Sequence, residues 1–244
     1  MPLLSRLRWL PLLLLPAVLG ACGSPLAASP TATSPPSARS GATSLAPPRA
    51  GAYTALGASE TYGIGATPNT DGYAYLVAKA LHARHFVDVG IPGTTVAGGY
   101  DAELTSALAI RPQLCTVFFG VNDIRAGVSR SAFTQNLHDL VATLRQARCR
   151  VLIIGIPDLA HVPAVAHSNI GDLEGIVTSW NNGMREVARQ TGSNFLDLRQ
   201  FSVELAFHPE YIAADGLHPS NAGHARLAQV VAAAVHQDGL WKTP

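Results

Sequence analysis

From residue 52 onward, short apolar runs alternate with longer amphipathic stretches. Short runs that end in glycine or a polar residue are typical of buried strands, and the amphipathic stretches are typical of helices. This alternation predicts an α/β fold, with a parallel sheet covered by helices on both faces. The predicted strands are 53–57, 86–90, 116–120, 151–156 and 194–198. The predicted helices are 72–84, 100–110, 131–147, 173–191 and 221–237.

Composition limits the chain to one domain of this kind. It has 244 residues, of which 48% are hydrophobic and 14% are charged, and a formal net charge of +1. Without its two ends, this length suffices for one domain with a sizeable core and is too short for two. The chain has no basic run and no alternation of aromatic with basic residues. Nucleic acid is therefore not expected as a partner.

Residues 1–21 are predicted to be a signal peptide. Arg6 and Arg8 precede an apolar run at 9–19 that is too short to span a bilayer comfortably. The segment ends in Leu-Gly-Ala-Cys22, which resembles the lipobox of bacterial lipoproteins. That resemblance implies cleavage before Cys22, lipidation of this cysteine, and anchoring to a bacterial membrane outside the cytoplasm. An ordinary secretory signal with an incidental cysteine is the alternative.

Residues 22–50 are predicted to be a disordered linker. They are rich in Ser, Pro, Ala and Thr, and Arg39 and Arg49 are their only charged residues. Such a segment has too little apolar surface to bury, so it would act as a tether for a domain at 51–244.

Cys115 and Cys149 each lie beside the start of a predicted strand. If those strands are parallel neighbours, both thiols lie at the same end of the sheet, away from the site proposed below. A secreted domain favours a disulfide between them, and a pair of buried free thiols is the alternative.

Four short motifs follow predicted strands or precede the last predicted helix. They are Gly57-Ala-Ser-Glu60, Gly90-Ile-Pro-Gly93, Gly120-Val-Asn-Asp123 and Asp215-Gly-Leu-His218. Alone, each is an ordinary turn or helix-capping sequence. Because the carboxyl ends of parallel strands meet at one edge of the sheet, their joint occurrence predicts a single site there.

This set of motifs resembles the SGNH hydrolases, also called the GDSL esterase/lipase family, from residue 51 to the C-terminus. The resemblance implies a single flavodoxin-like, three-layer α/β/α domain with a five-stranded parallel sheet. It also implies the roles of five residues: Ser59 as the nucleophile, His218 as the general base, Asp215 as its orienting carboxylate, and Gly93 and Asn122 as oxyanion-hole residues together with the Ser59 N–H.

The chemistry of these side chains agrees with those roles. A serine hydroxyl is a weak nucleophile until a base takes its proton, and histidine titrates near neutral pH. Asp215 and His218 share one short loop, so the carboxylate can orient the imidazole. A second His-Pro pair begins at His208, but Leu205 stands three residues before it and no carboxylate can play this part.

The first motif departs from the family pattern, because Ala58 and Glu60 replace the Asp and Leu of GDSL. Ser59 is kept. Ala58 cannot make the hydrogen bond by which an aspartate would hold the serine loop.

The predicted function is that of a serine esterase acting on an ester substrate, as a monomer and without a metal or organic cofactor. Candidate substrates are short acyl esters, O-acetyl glycans and lysophospholipids, with acyl transfer to a sugar as a variant. The loop at 158–171 is a candidate for setting specificity. Two alternatives are a non-catalytic lipoprotein that binds glycan and a nucleotide binder. The second is disfavoured, because Glu60 would repel an anion at the first strand end.

Overall fold

The computed structural model describes residues 46–166 and 171–242. The predicted signal peptide, the predicted lipidation site at Cys22 and most of the predicted linker lie outside these residues. None of the helices within the described ranges is both long enough and apolar enough to span a membrane.

Within the described residues, five strands form one parallel sheet in the order β2-β1-β3-β4-β5. They are β1 (Ala52–Gly57), β2 (His85–Asp88), β3 (Leu114–Phe118), β4 (Arg150–Ile154) and β5 (Asn194–Leu196). This is the flavodoxin-like order, so the predicted fold class is confirmed.

Helices cover both faces of the sheet. In the described ranges they are α1 (Ser59–Tyr62), α2 (Tyr73–Ala80), α3 (Val96–Ala109), α4 (Val121–Arg125), α5 (Arg130–Gln146), α6 (Pro163–Ala166), α7 (Leu173–Thr191), α8 (Arg199–Leu205) and α9 (Asn221–Gln237). Helices α3, α5 and α7 contribute to the apolar core on one face, and α2 and α9 to the core on the other.

Strand β4 shows why the sheet is buried on both sides. Val151 and Ile153 point into the core under α5 and α7, whereas Leu152 and Ile154 point into the core under α2 and α9. Successive side chains of a strand point to opposite faces, so a continuous apolar run is needed where helices cover both.

The predicted elements are present, but several boundaries were wrong. Strands β2 to β5 end two residues earlier than predicted, so the residues that follow them belong to loops. Helix α3 begins at Val96 instead of residue 100, because the Thr95 side chain accepts the Gly98 N–H and caps it. The adjacent Gly98 and Gly99 are poor helix formers, which obscured this start in the sequence. The short helices α1, α4, α6 and α8 were not predicted.

Cys115 and Cys149 are bonded to each other, with their Cα atoms 6.3 Å apart. Cys115 is the second residue of β3, and Cys149 immediately precedes β4. The two strands are parallel neighbours, with Cys115 in register with Val151. The crosslink therefore joins them at their amino-terminal ends.

Candidate active site

The residues singled out from the sequence follow the carboxyl ends of three adjacent strands. Ser59 comes two residues after β1, Gly93 five residues after β2, and Asn122 four residues after β3. These strands are neighbours in the sheet, so the three segments share one edge. This edge is where open parallel sheets place their ligand sites.

Ser59 is the first residue of α1 and is 8% exposed. The chain turns sharply into this helix at Gly57, whose φ of +153° favours glycine. A Cβ at Gly57 would also lie 2.5 Å from the carbonyl oxygen of Phe118. Ala58 provides no side-chain cap to α1. Because the first N–H groups of a helix lack intrahelical partners, the Ser59 N–H can donate to a bound oxygen.

Glu103, on α3, holds the turn that carries Ser59. Its Oε2 accepts the Gly57 N–H at 3.0 Å, and the side chain is 1% exposed. Burial raises the pKa of Glu103 to about 8, although the Gly57 N–H acts in the opposite direction. A glutamic acid from a neighbouring helix thus contacts the serine turn, next to the position where Ala58 has no polar side chain.

Asp215 and His218 contact each other in the loop before α9. Nδ1 of His218 lies 2.6 Å from Oδ2 of Asp215, and Oδ1 of Asp215 accepts the Leu217 and His218 N–H groups. Burial raises the pKa of Asp215, but these hydrogen bonds outweigh it and lower the pKa to about 2. An ionised carboxylate on Nδ1 leaves Nε2 as the atom that can exchange a proton with substrate groups.

The Asp215–His218 loop rests on the segment that follows Ser59. The Ile64 N–H donates to the Ser59 carbonyl at 2.9 Å. Gly65 comes next, and a Cβ there would lie 3.1 Å from the Cβ of His218 and would clash with the Pro219 carbonyl. The close approach of the two segments therefore requires a glycine at 65, which also has a φ of +93°.

His224 ties the same segment to two helices. Its Nδ1 accepts the Tyr73 N–H of α2, and its Nε2–H donates to the Ile64 carbonyl. The side chain is buried on α9. Burial lowers its pKa, which favours the neutral ring that these two contacts need. The contacts of this histidine are therefore structural.

The predicted oxyanion side is built from two loops that are bonded to each other. Gly93 has a φ of +81° in the loop after β2. Nδ2 of Asn122 donates to the Thr94 carbonyl at 3.1 Å, which leaves its second N–H for a substrate. Both carboxylate oxygens of Asp123 lie 3.2 Å from the Val96 nitrogen at the start of α3. Burial raises the pKa of Asp123 to about 6, although the Val96 N–H opposes this.

The Ser59 hydroxyl donates to Oε2 of Glu60 at 3.2 Å. Within the described residues, Ser59 makes no hydrogen bond to His218. The structure thus brings Asp215 and His218 into direct contact and places Ser59, Gly93 and Asn122 along the same edge. Turning the Ser59 hydroxyl from Glu60 toward the imidazole would complete a nucleophile, base and carboxylate series.

An apolar pocket of about 100 Å³ adjoins these residues. The immediate neighbours of the predicted site residues line it, namely Glu60 beside Ser59, Val121 beside Asn122, and Leu217 and Pro219 on either side of His218. Part of the segment at 158–171, predicted to be a substrate-side loop, also lines the pocket through Leu159 and Val162.

Sequence reasoning missed several residues that shape the site. The role of Glu103 could not be predicted from the sequence, because a lone glutamate in a predicted helix gives no indication of burial. Asp123 belongs to a motif that is typical of a turn or a helix cap. Its carboxylate does accept an N–H at the start of a helix, but that helix is α3, which precedes it in the chain. The role of Gly65 is visible only in its positive φ and its close contacts with His218 and Pro219. His208, set aside from the sequence, contacts Glu210 through Nδ1 at 2.7 Å.

Over residues 46–166 and 171–242, no three His, Cys, Asp or Glu side chains are grouped so as to hold a metal ion.

Comparison with solved structures shows the same fold in known esterases. A catalytic mutant of an acetylxylan esterase from Geobacillus stearothermophilus has a TM-score of 0.62 at 19% identity, covering 80% of this chain and 98% of that one. The psychrotrophic esterase EstA from Pseudoalteromonas sp. has a TM-score of 0.61 at 16% identity, covering 76% and 96%. An α/β hydrolase from the metagenome of Lake Arreo, Spain, has a TM-score of 0.63 at 22% identity, covering 77% and 96%.

Comparison with curated proteins found no match. A family model described as the GDSL-like lipase/acylhydrolase family matches residues 55–226, which run from β1 to the first part of α9 and include every predicted site residue after the linker. This match covers more than half of the chain, and it agrees with the fold and with the motifs at the strand ends. The chain therefore belongs to the GDSL-like lipase/acylhydrolase family and is an ester-hydrolysing serine hydrolase.

Proposed function

We propose that the protein hydrolyses carboxylic esters through an acyl-enzyme on Ser59, with His218 as the general base and Asp215 as its orienting carboxylate. The observation that carries this proposal is the contact of 2.6 Å between His218 Nδ1 and Asp215 Oδ2, in a loop that rests on the segment following Ser59. A serine in this family needs such a base to become nucleophilic.

In the proposed reaction, the Ser59 hydroxyl leaves Glu60 and turns to Nε2 of His218. Its oxygen attacks the ester carbonyl while the imidazole takes its proton, and the carbonyl oxygen becomes an oxyanion. The backbone N–H groups of Ser59 and Gly93 and the second Nδ2 hydrogen of Asn122 would donate to this oxyanion. The imidazolium protonates the departing alcohol, and water activated by the same histidine then releases the acid.

The proposed substrates are short acyl esters, O-acetyl groups on glycans, or lysophospholipids. An acetylxylan esterase is among the structures of similar fold, which makes acetylated xylan a sensible first polymer to test. Transfer of the acyl group from Ser59 to a sugar hydroxyl would use the same intermediate in place of water.

The test is hydrolysis of p-nitrophenyl acetate together with labelling by a fluorophosphonate probe. Ser59→Ala should abolish both, whereas Ser106→Ala, at an exposed position on α3, should leave both unchanged. Labelling of the wild-type protein that persists in Ser59→Ala would reject Ser59 as the nucleophile. No hydrolysis and no labelling in the wild type would favour a glycan-binding protein without catalysis.

We also propose that the protein is held outside the cytoplasm by lipid on Cys22, as a monomer. The Leu-Gly-Ala-Cys sequence that ends at Cys22 supports the lipid anchor. Full-length protein expressed in a bacterium fed with alkyne-palmitate should take up label and sediment with membranes, and Cys22→Ser should do neither. Equal sedimentation of the two proteins without label would reject the lipid anchor.

A further inference from the structure

The apolar pocket beside the site contains one carboxylate whose charge no cation balances. Its walls are mainly aromatic and aliphatic, with Phe118, Leu159, Phe201, Leu205 and Leu227 among them. Of its charged lining residues, Glu204 and Arg226 neutralise each other through two hydrogen bonds of 2.7 Å. The remaining one is Glu60, for which the described residues provide no cationic partner.

Glu60 stands where the pocket meets the nucleophile. Its Oε2 is the acceptor for the Ser59 hydroxyl, at 3.2 Å. The same side chain lines a second, smaller crevice together with Phe119, Gly120 and Asn122. Glu60 is thus shared by the nucleophile, the predicted oxyanion side and the apolar pocket.

The pocket without this carboxylate would suit an acyl chain. Moving a methylene group from water to an apolar environment is favourable, so a longer acyl chain would gain affinity with every carbon that the pocket accepts. A carboxylate at the entrance reverses this preference, because a methylene chain would strip water from the charge without offering it a hydrogen bond. A short acyl group that ends before the entrance avoids this cost.

We propose that Glu60 is a specificity residue that restricts the acyl group to short chains by keeping a charged side chain between Ser59 and the apolar pocket. The inference rests on the proposed function, since it concerns the acyl group bound to Ser59. Where the GDSL pattern has leucine, this chain has Glu60, so Glu60→Leu is the natural substitution that tests the role of the charge.

The experiment measures kcat/KM of the full-length protein for p-nitrophenyl acetate, butyrate, hexanoate and octanoate. We expect the wild type to lose efficiency as the chain lengthens. Glu60→Leu should raise the octanoate-to-acetate ratio by at least about tenfold. Glu60→Gln keeps the size but removes the charge, and it should raise the same ratio by a smaller factor. If the Glu60→Leu variant does not fold, the Glu60→Gln variant still tests whether the charge restricts the length of the acyl chain.

Two further variants separate the pocket from general effects. Leu205→Trp, added to Glu60→Leu, should fill the pocket and return the ratio toward the wild-type value. Glu174→Leu makes the same change of charge at an exposed position on α7 and should leave the ratio unchanged.

A wild type that already prefers octanoate would overturn the inference. So would a ratio within about twofold of the wild-type value in both Glu60 variants while Ser59 is still labelled by a fluorophosphonate. Loss of labelling in Glu60→Gln would also overturn it, because Glu60 would then be part of the catalytic machinery. Absence of both hydrolysis and labelling in the wild type would instead reject the proposed function itself.

Discussion

The two oxygens of the Asp215 carboxylate bind two different parts of the residue three positions later. Oδ2 lies 2.6 Å from the His218 ring at Nδ1, and Oδ1 lies 3.0 Å from the His218 backbone nitrogen. The same side chain therefore orients the imidazole and fixes the loop that carries it. All of these contacts lie within four consecutive residues of the chain.

Replacing Asp215 by asparagine should lower kcat for p-nitrophenyl acetate by roughly a hundred- to ten-thousandfold, since the amide can hold the wrong tautomer of the imidazole. KM should change little, because Asp215 does not contact the acyl group in the proposed reaction. The matched control is Asp101→Asn, at an exposed position on α3. Steady-state kinetics that show kcat for Asp215→Asn within tenfold of the wild type would remove Asp215 from the proposed mechanism.

Asn122→Ala should lower kcat by roughly a hundred- to a thousandfold, the typical cost of losing one oxyanion donor. The effect should fall on kcat more than on KM, because the donor matters most when the oxygen carries a charge. Asn182→Ala, which removes an exposed asparagine in contact with Arg185, is the control. An increase confined to KM would mean that Asn122 binds the substrate without stabilising the oxyanion.

Two glycines with positive φ should respond differently to alanine. Gly65→Ala places a methyl group against His218 and Pro219, whereas a Cβ at Gly127 has no atom within 4 Å. Each substitution incurs the cost of the left-handed conformation, roughly 1–2 kcal/mol of unfolding free energy. Only Gly65→Ala should also lower kcat/KM, by tenfold or more, because it displaces the loop that carries His218, the proposed base. Urea unfolding and esterase kinetics on both variants measure this, and equal activities would show that the loop tolerates the shift.

The contribution of Glu103 to stability should fall as pH rises toward 8. The pKa of Glu103 is raised by burial to about 8 from 4.5, so between these values the folded state holds a proton that the unfolded state has lost. The free energy of unfolding then decreases with pH, by at most about 1.4 kcal/mol per pH unit from this group. Asp88, whose pKa burial raises to about 7, acts in the same direction.

Glu103→Gln tests this dependence, since glutamine can still accept the Gly57 N–H but does not titrate. Urea unfolding at pH 5, 6, 7 and 8 should give a flatter profile for this variant than for the wild type. Glu174→Gln, at an exposed position, should leave the wild-type slope in place. A profile of Glu103→Gln that is parallel to the wild-type profile would contradict a protonated Glu103 in the folded state.

The sequence was informative where a local apolar pattern and the position of a residue at a strand end both indicate the same site. Ser59 and Asn122 follow buried apolar runs, and in a parallel sheet the ends of adjacent strands lie at one edge. Asp215 and His218 are close in the chain, so their contact requires only a tight loop. The parallel sheet, and the position of these residues at one edge of it, could be predicted for these reasons.

What could not be predicted depends on packing between distant segments. Glu103 is buried because α3 packs over β1, and this brings a carboxylate to Gly57 across 46 residues. The direction of the Ser59 hydroxyl toward Glu60 depends on rotamers, which a sequence pattern does not specify. Likewise, the apolar pocket is assembled from segments that follow β1, β3, β4 and β5, so no single stretch of sequence reveals it.

The Cys115–Cys149 bond lies at the opposite end of the sheet from Ser59 and His218. Substitutions that change specificity are often destabilising, and a protein tolerates them only while some stability remains in reserve. A covalent bond remote from the reacting groups adds to that reserve without constraining the loops that bind substrate. The edge of the sheet that carries the proposed site can therefore accept substitutions while the crosslinked end stays unchanged.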